Sequence, residues 1–453
     1  MFSRNSIFFL LLLVFTCKSK DPEPVELFDI FDCSDCTYLV TTQKTDGVLL
    51  NIKPGDIVCF ETGKSYDNIF FTNIVGTPTN PVIVRNCGGV VVIKSTKSYG
   101  VKFEYSENFK FLGDGGDRKY GIKISTPNGF FLTMEKFTTD FEISRVEVAG
   151  YARNGIGANA GFAGFGIKTS PYQECDLFTD PTRTAWVMRN IKIHDNYVHD
   201  TGGEGMYIGH GFYKGRKEDQ CANVTYSHSI KGIELHDNLI ERTGYDGIQI
   251  KNVDSDVKVY NNTIKNYGMR KENAHNEGLF IGEGTTGMYY NNIMIGGTGN
   301  GVQLQGLGNI DIFNNIVINS GEHGFVVSGG PYGDRLVDGY FNIFNNTVVN
   351  SGKSGFAVFQ DEGGVKRVYN NIIAKAAEDL FRKGAVLDSA NNIVTNNISS
   401  LKFVDWGRFN VKLKTGSIAI DKGADLSAFG VTFDFDGNNR PKGLAFDIGA
   451  FEY

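Results

Sequence analysis

The amino-acid sequence predicts an all-β protein, a right-handed parallel β-helix (solenoid) in which short strands stack coil upon coil and a C-terminal cap completes the fold. Three observations predict it: a repeated Asn corner, apolar residues that alternate along the strands beside it, and a Gly that recurs after each corner. The chain has 453 residues, with 56 Gly and 10 Pro, which suits a β-rich protein with many tight turns.

The corner repeat carries most of this prediction. Seven strand-like segments end in Asp-Asn or Asn-Asn, and after a first interval of 42 residues the successive pairs lie 23 to 31 residues apart. The segments are 191–196, 233–238, 257–262, 288–292, 310–315, 341–346 and 366–371. Such a period indicates coils that bury one face against the next, and Asn amides at successive corners can hydrogen-bond to one another. A column that begins with His194 and His236 continues with aromatic residues, so it predicts a ring stack rather than a metal site.

A second column follows the corners. Gly residues at positions 166, 205, 247, 278, 301, 324 and 355 each open a short strand. The residues one and three places after the Gly are predicted to face the core, and the residue two places after it to face solvent. The result is an exposed polar and aromatic ladder suited to a sugar chain, made of Lys168, Tyr207, Gln249, Phe280 and Gln303.

Three acids occupy the position just before the Gly. Glu204, Asp246 and Glu277 stand there on consecutive coils, which lie about 4.8 Å apart in stacked strands. Carboxylates at that range repel, so a pKa rises or a cation such as Ca²⁺ binds. The simpler alternative is that polar residues before Gly make good turns. The same position on other coils is predicted to hold Phe165, Asn300, His323 and Ser354.

Two kinds of catalysis fit these acids. Retaining glycosidases place two carboxylates about 5 Å apart and inverting ones about 6.5–9.5 Å apart, so Glu204 with Asp246 or Glu277 would form a hydrolytic pair. Alternatively, the three acids hold Ca²⁺ against the carboxylate of a uronic acid while a base removes the adjacent proton in a β-elimination. The candidate bases are Lys168, Lys251, His199 and His210.

Two insertions and the cysteines add to the predicted site. Residues 170–186 and 211–229 follow adjacent Gly strands and should form two walls on the same side of the solenoid. Cys175 and Cys221 lie one in each insertion and are predicted to form a disulfide. The remaining predicted pairs are Cys59 with Cys87, at the ends of neighbouring strands, and Cys33 with Cys36, a local pair that no second ligand pair completes as a metal site.

The N-terminus predicts export. Residues 1–17 contain Arg4, an apolar run at 7–15 and a Val-Phe-Thr-Cys segment similar to a bacterial lipoprotein box, which predicts lipidation of Cys17. The protein is then expected at the cell surface or in the periplasm, or else secreted, with membrane contact only through that anchor. Residues 18–48 are predicted as a linker and N-terminal cap, 49–400 as the solenoid and 401–453 as the C-terminal module.

The charge pattern argues against one class of partner. The net charge is −6 and no basic stripe runs along the chain, so nucleic acid is not an expected partner.

Two parts of the chain resemble known families of proteins or modules. The stretch 54–58, Pro-Gly-Asp-Ile-Val, followed by Pro-Val-Ile-Val at 81–84 and the Asn corners, resembles secreted β-helix proteins of the pectate lyase-like superfamily. The segments 417–423, 434–441 and 447–453 resemble the choice-of-anchor Q module of exported bacterial β-helices, expected here to cover the open end of the solenoid. The resemblance implies a polysaccharide partner. It leaves open a lyase acting on uronic-acid polysaccharides, a glycoside hydrolase and a non-catalytic glycan-binding or adhesion protein.

Overall fold

The computed structural model describes residues 29–150, 162–169, 174–329, 339–359, 364–379, 381–383 and 386–453. The predicted export signal, with Cys17, lies outside these residues. Among the described residues no helix is both long and apolar enough to cross a membrane.

Three parallel sheets build the solenoid, and within the described residues they contain thirteen, eleven and twelve strands. Sheet 1 contains Tyr38–Leu39, Ile57–Glu61, Val82–Cys87, Glu107–Leu112, Thr139–Ser144, Val187–His194, Ser229–His236, Val253–Tyr260, Gly287–Tyr290, Ile310–Phe313, Tyr340–Phe344, Val365–Tyr369 and Asp388–Ala390. Sheet 2 contains Val91–Lys94, Ile122–Ser125, Val146–Ala149, Tyr197–Thr201, Leu239–Thr243, Thr263–Lys265, Ile293–Ile295, Ile316–Ile318, Thr347–Ser351, Ile372–Ala376 and Ile393–Thr395. Sheet 3 contains Lys44–Asp46, Ile69–Thr72, Tyr99–Glu104, Phe130–Met134, Ala163–Lys168, Met206–Gly209, Ile248–Ile250, Leu279–Ile281, Val302–Leu304, Phe325–Val327, Phe356–Val358 and Phe381–Lys383.

Short elements lie outside these sheets. Two antiparallel pairs join Arg216–Lys217 to Val224–Thr225 and Phe403–Asp405 to Asn410–Leu413. The 3₁₀ turns are Cys33–Asp35, Ile398–Leu401, Trp406–Arg408 and Ser427–Phe429.

Each coil follows the same path. A strand of sheet 1 leads through the Asn corner into sheet 2, and the Gly turn then leads into sheet 3. The strands form because their apolar residues alternate and face inward: Ile191 and Ile193 are buried on either side of the half-exposed Lys192. Ile233 and Leu235 pack on the first two in register, so the coils bury one continuous apolar core.

The Asn corner is the predicted hydrogen-bonded ladder. The Asn238 side chain donates to Asn262 Oδ1 at 2.9 Å, and Asn262 donates in the same way to Asn292 at 3.0 Å. Each amide also donates to a backbone carbonyl of the preceding coil, as Asn262 does to Leu235 O. The residue before each of these Asn adopts a positive φ, 55° at Asn261, a conformation that Asn and Asp tolerate. The His194, His236 and aromatic column is the predicted ring stack, with ring centroids 4.9 Å apart between the two His.

Gly recurs in this column because the turn has no room for a side chain. A Cβ on Gly205 would lie 2.5 Å from Gly247 O and 2.5 Å from a methyl group of Ile240, so the turn admits only Gly. The strand pairing also corrects the predicted alignment of one coil. Phe165 pairs with Met206 and is buried in the core, so Ala163 and Gly164, rather than Phe165 and Gly166, are equivalent to Glu204 and Gly205.

The C-terminal module, expected from its resemblance to cover the open end, packs along the side of the solenoid. Its residues accept hydrogen bonds from the corner side chains of successive coils, as Phe433 O does from Asn314 and Asp447 O from Asn345. Its apolar residues pack on outward-facing residues of sheet 2, including Ile316. The strands at 293–295, 316–318 and 372–374 are apolar on both faces, which is the sequence signal for this covered surface.

Two of the predicted disulfides are wrong and one is confirmed. The structure joins Cys33 to Cys87, Cys36 to Cys59, and Cys175 to Cys221 as expected. Cys59 pairs with Arg85 in the sheet, two residues before Cys87, so the predicted pair Cys59 and Cys87 do not face each other. The 3₁₀ turn Cys33–Asp35 instead directs Cys33 and Cys36 to different strands, which replaces the predicted Cys33–Cys36 bond.

The attachment of the module predicts a large effect of one substitution. Arg440 and Glu452 form a fully buried ion pair, and Arg440 also donates to Asn314 Oδ1 on the solenoid. Because Arg440→Met leaves Glu452 buried without its cation, we expect a loss of about 3–5 kcal/mol in the free energy of unfolding, measured by denaturant titration. Arg408→Met is the control: Arg408 is 88% exposed, and its loss should cost less than about 0.5 kcal/mol. Equal effects of the two substitutions would contradict the role of the buried pair.

Candidate functional site

The three predicted acids come together at the edge of sheet 3. Glu204, Asp246 and Glu277 precede equivalent Gly residues on three consecutive coils, and all three are almost completely buried. One carboxylate oxygen of Glu204, one of Asp246 and a ring nitrogen of His275 lie within 4.8 Å of one another. The structure therefore assembles an acidic cluster at this edge and adds a histidine to it.

Part of the column has the structural role that the simpler alternative predicted. Asp246 Oδ1 accepts the backbone N–H of Glu277 at 2.8 Å. The same pattern continues where Asn300 Oδ1 accepts from His323 N and His323 Nδ1 accepts from Ser354 N, both at 3.1 Å. The column is thus a second polar ladder, in which a side chain on one coil satisfies the backbone of the next.

The acids carry more oxygen atoms than this ladder of hydrogen bonds uses. Within the described part of the chain, Glu204 Oε2, Asp246 Oδ2 and Gln249 Oε1 are buried without any hydrogen-bond partner. These are all acceptors, and burying an unpaired carboxylate oxygen is costly. Glu277 differs, because its two oxygens accept from Asn276 N at 2.8 Å and from the Asn300 side chain at 3.2 Å. A proton or a cation would satisfy the free oxygens of Glu204 and Asp246, whereas those of Glu277 already accept hydrogen bonds.

The pKa values of Glu204 and Asp246 are both raised, as expected for buried carboxyl groups that each have an oxygen without a hydrogen-bond partner. Burial raises the pKa of Glu204 to about 7, although the charge of Lys251 opposes the rise. Burial, and then the negative charge of Glu277, raise the pKa of Asp246 well above its usual range. At neutral pH the two acids do not both stay ionised unless a cation joins them.

Two basic residues, Lys251 and His210, follow the sheet 3 strands that the acids precede. Lys251 Nζ lies 3.8 Å from Glu283 Oε1 and 4.8 Å from the centre of the Phe280 ring. His210 Nε2 lies 3.8 Å from Glu218 Oε1. Burial, with the nearby charge of Lys251, lowers the pKa of His210 to about 4, so its imidazole is neutral at neutral pH.

The other two candidate bases are not beside the acids. Lys168 forms an ion pair with Glu135 at 2.8 Å and lies over the Phe130 ring. His199 is on sheet 2, where it contacts Asp200 at 2.6 Å. The repeat pattern alone could not rule out Lys168 or His199 as the base, because both lie in strands with the same alternation as the other candidates.

The predicted exposed ladder is only partly exposed. Tyr207, Gln249, Phe280 and Gln303 do stack in register on sheet 3, but Gln249 and Phe280 are 1% and 4% exposed. Lys168 is not a member, because it pairs with Gly209 and the ladder position on its coil is Gly166. The prediction of solvent-facing Gln249 and Phe280 is therefore wrong: these side chains leave the core but are covered from outside.

The covering segments include one loop that the sequence pattern missed. The insertion around residues 211–229 folds back so that Tyr213 N donates to Glu283 Oε2 at 2.9 Å, and its Cys221 is tied to Cys175. Residues 266–277 form a further insertion, which hydrogen-bonds to the preceding coil through Gly268 N and Tyr245 O at 2.9 Å and brings His275 to Glu204. In the sequence, the insertion at 266–277 is indicated only by the 30-residue interval between two Asn corners. Nothing in the repeat pattern indicates Glu283 or Glu218, the partners of Lys251 and His210.

Comparison with known proteins identifies the fold. The family model described as right handed beta helix region matches residues 190–373. The chain is similar in structure to the GH136 lacto-N-biosidase from Eubacterium ramulus, at 13% identity and a TM-score of 0.50, over 80% of this chain and 68% of that one. It is also similar to pectate lyase Pel9A, at 15% identity and a TM-score of 0.50, over 90% of each chain. No curated protein matches the chain in sequence. The protein is thus a right-handed parallel β-helix, as the sequence predicted.

The buried Glu204 predicts an unusual pH dependence of stability. Its pKa is about 7 in the folded chain against an ordinary value of 4.5, so the folded state binds more protons between these values. Without metal, stability should therefore fall as the pH rises from about 4.5 to 7, by on the order of 3 kcal/mol. Thermal unfolding at pH 5 and pH 8 in the presence of a chelator measures this, and Glu204→Gln should remove the Glu204 contribution while leaving that of Asp246. Glu322→Gln, at a more exposed glutamate paired with Lys353, is the control; an unchanged pH slope in Glu204→Gln would contradict the assignment.

Proposed function

We propose that this protein is an exported enzyme that cleaves a uronic-acid-containing polysaccharide by β-elimination. The observation that carries the proposal is the pair of unpartnered buried carboxylate oxygens of Glu204 and Asp246 on adjacent coils. The charge of Lys251 acts on Glu204, and it also acts on the neutral His210. The similar structures named above, a pectate lyase and a lacto-N-biosidase, agree with a glycan as the partner. We further propose that lipidation of Cys17 anchors the protein at the cell surface or in the periplasm.

The acids are suited to a divalent cation. Glu204 and Asp246 would supply oxygen donors, the ligands that Ca²⁺ prefers, and substrate and water would complete its shell of six to eight oxygens. Bound there, Ca²⁺ would neutralise the substrate carboxylate and so acidify the proton on the adjacent carbon. Glu277 increases the affinity of the site for positive charge, while its own oxygens stay hydrogen-bonded to Asn276 and Asn300.

In the proposed reaction His210 is the general base and Lys251 is the general acid. The neutral imidazole of His210 accepts the proton from the carbon that bears the carboxylate. The electron pair of that C–H bond forms a carbon–carbon double bond as the bond to the glycosidic oxygen breaks. The Lys251 ammonium, held by Glu283, faces the negative charge that develops and can donate a proton to the departing oxygen. Tyr207 and Gln303, which are half-buried, offer a ring and an amide to the flanking sugars.

A second candidate is hydrolysis. Glu204 and Asp246 have oxygens within 4.8 Å of each other, close to the separation of about 5 Å found in retaining glycosidases. The pKa values of both carboxyls are raised, so the one that keeps its proton would be the acid and the other, once ionised, the nucleophile. This reaction gives reducing ends without an unsaturated sugar and needs no cation.

The test is turnover of a panel of uronic-acid polysaccharides with and without Ca²⁺. We expect ultraviolet-absorbing unsaturated products that depend on Ca²⁺ and that fall at least about a hundredfold in Asp246→Asn and in His210→Gln. Added Ca²⁺ should also raise the melting temperature of the wild type at pH 8 but not that of Asp246→Asn.

His199→Gln is the matched control, because it changes a histidine of similar burial on sheet 2. It should retain activity. Reducing ends without unsaturated product would favour hydrolysis, and glycan binding without either product would indicate an adhesion protein.

A further inference from the structure

A large groove lies away from the acidic cluster. It lies on the outer face of sheet 1, encloses about 770 Å³ and extends from the coil of Asn190 to that of Tyr340. A second depression of about 290 Å³ shares Asn190 and Lys192 with it and continues to the coil of Pro81. The two span eight coil-to-coil steps of about 4.8 Å each, close to 40 Å along the solenoid axis.

A column of left-handed residues runs along this groove. Asn108, Asp140, Asn190, Gly232 and Asp256 are aligned across sheet 1, and each has a positive φ between 50° and 80°. Gly, Asn and Asp tolerate this conformation best, so the sequence maintains the bend coil after coil. All five residues line one or both of the two depressions, so the bends follow the course of the groove.

The floor of the groove is polar and internally neutralised. Outward residues on paired strands alternate in sign from Lys110 and Glu142 to Lys192, Glu234 and Lys258. Lys110 contacts Glu142 at 2.8 Å, and Lys258 contacts Glu234 at 3.4 Å. Such a floor offers hydrogen-bond donors and acceptors at every coil without a strong field of one sign.

The lining also selects the kind of occupant. In the larger depression four carboxylates face two lysines, which disfavours a polyanion such as nucleic acid or a polyuronate. Met288, which is 37% exposed, is the one exposed large apolar side chain among the lining residues, so an apolar peptide would find a single anchor there. Tyr340, whose hydroxyl donates to Asp311 at 3.2 Å, adds an aromatic ring at one end.

We propose that this groove is a second, non-catalytic binding site for an extended neutral polysaccharide. The chain lies parallel to the solenoid axis, and its hydroxyl groups bond to the alternating row of lysines and carboxylates. The site is separate from the acidic cluster on sheet 3, so it would hold the protein on a glycan matrix whatever reaction the cluster performs.

The experiment is affinity electrophoresis of the folded protein through gels that contain either a neutral polysaccharide (a β-glucan, a mannan or a galactan) or a polyuronate. We expect retardation by at least one neutral polysaccharide. Met288→Arg, which places a long charged side chain on the groove floor, should weaken it at least tenfold. Val404→Arg is the matched control, because Val404 is 38% exposed on the C-terminal module.

Two further outcomes separate this site from the proposed reaction. Asp246→Asn should leave the retardation unchanged, and Met288→Arg should leave turnover of short soluble oligosaccharides unchanged. Retardation by no neutral polysaccharide, or equal retardation of Met288→Arg and the wild type, would overturn the proposal even if the acidic cluster proves catalytic.

Discussion

The spacing between coils is the constraint on which the rest of the structure depends. Backbone hydrogen bonds between parallel strands hold neighbouring coils about 4.8 Å apart, so any residue type that recurs at one position becomes a column of touching side chains. At the corner this gives the Asn ladder, where Asn238 and Asn262 satisfy each other and the backbone. At the turn it leaves room only for Gly, as at Gly205. The same spacing forces Glu204 and Asp246 together, although their charges oppose it.

Structural and chemical roles meet in the same column. Asp246 uses one oxygen to bind the Glu277 backbone and leaves the other buried and unpartnered among the described residues. Further along, Asn300 and His323 perform only the first role. A ladder that is already lined with acceptors needs few changes to become a cation or proton site, because replacing an amide by a carboxylate keeps the hydrogen bond and adds charge. The covering loops then remove water and amplify the charge.

The three outer faces of the solenoid have different surroundings. The C-terminal module covers the corner side chains Asn314 and Asn345 and the apolar outer face of the last sheet 2 strands. On sheet 3, one loop brings His275 to Glu204 and another bonds Tyr213 to Glu283. On sheet 1, a bend at residues such as Asn190 shapes a polar groove instead. The parallel sheets thus supply one rigid frame, and what covers each face decides its chemistry.

The sequence by itself determined the features that repeat. The corner Asn and the turn Gly predict the coils, and their period places Glu204, Asp246 and Glu277 in one column, because local alternation and spacing suffice for that. Only the tertiary structure decided the register of Gly166, the pairing of Cys33 with Cys87, the side on which the C-terminal module packs, and the burial of Gln249 and Phe280. It also brought His275 to Glu204. These depend on loops and insertions that follow no period, so their positions are set by packing between residues far apart in the chain.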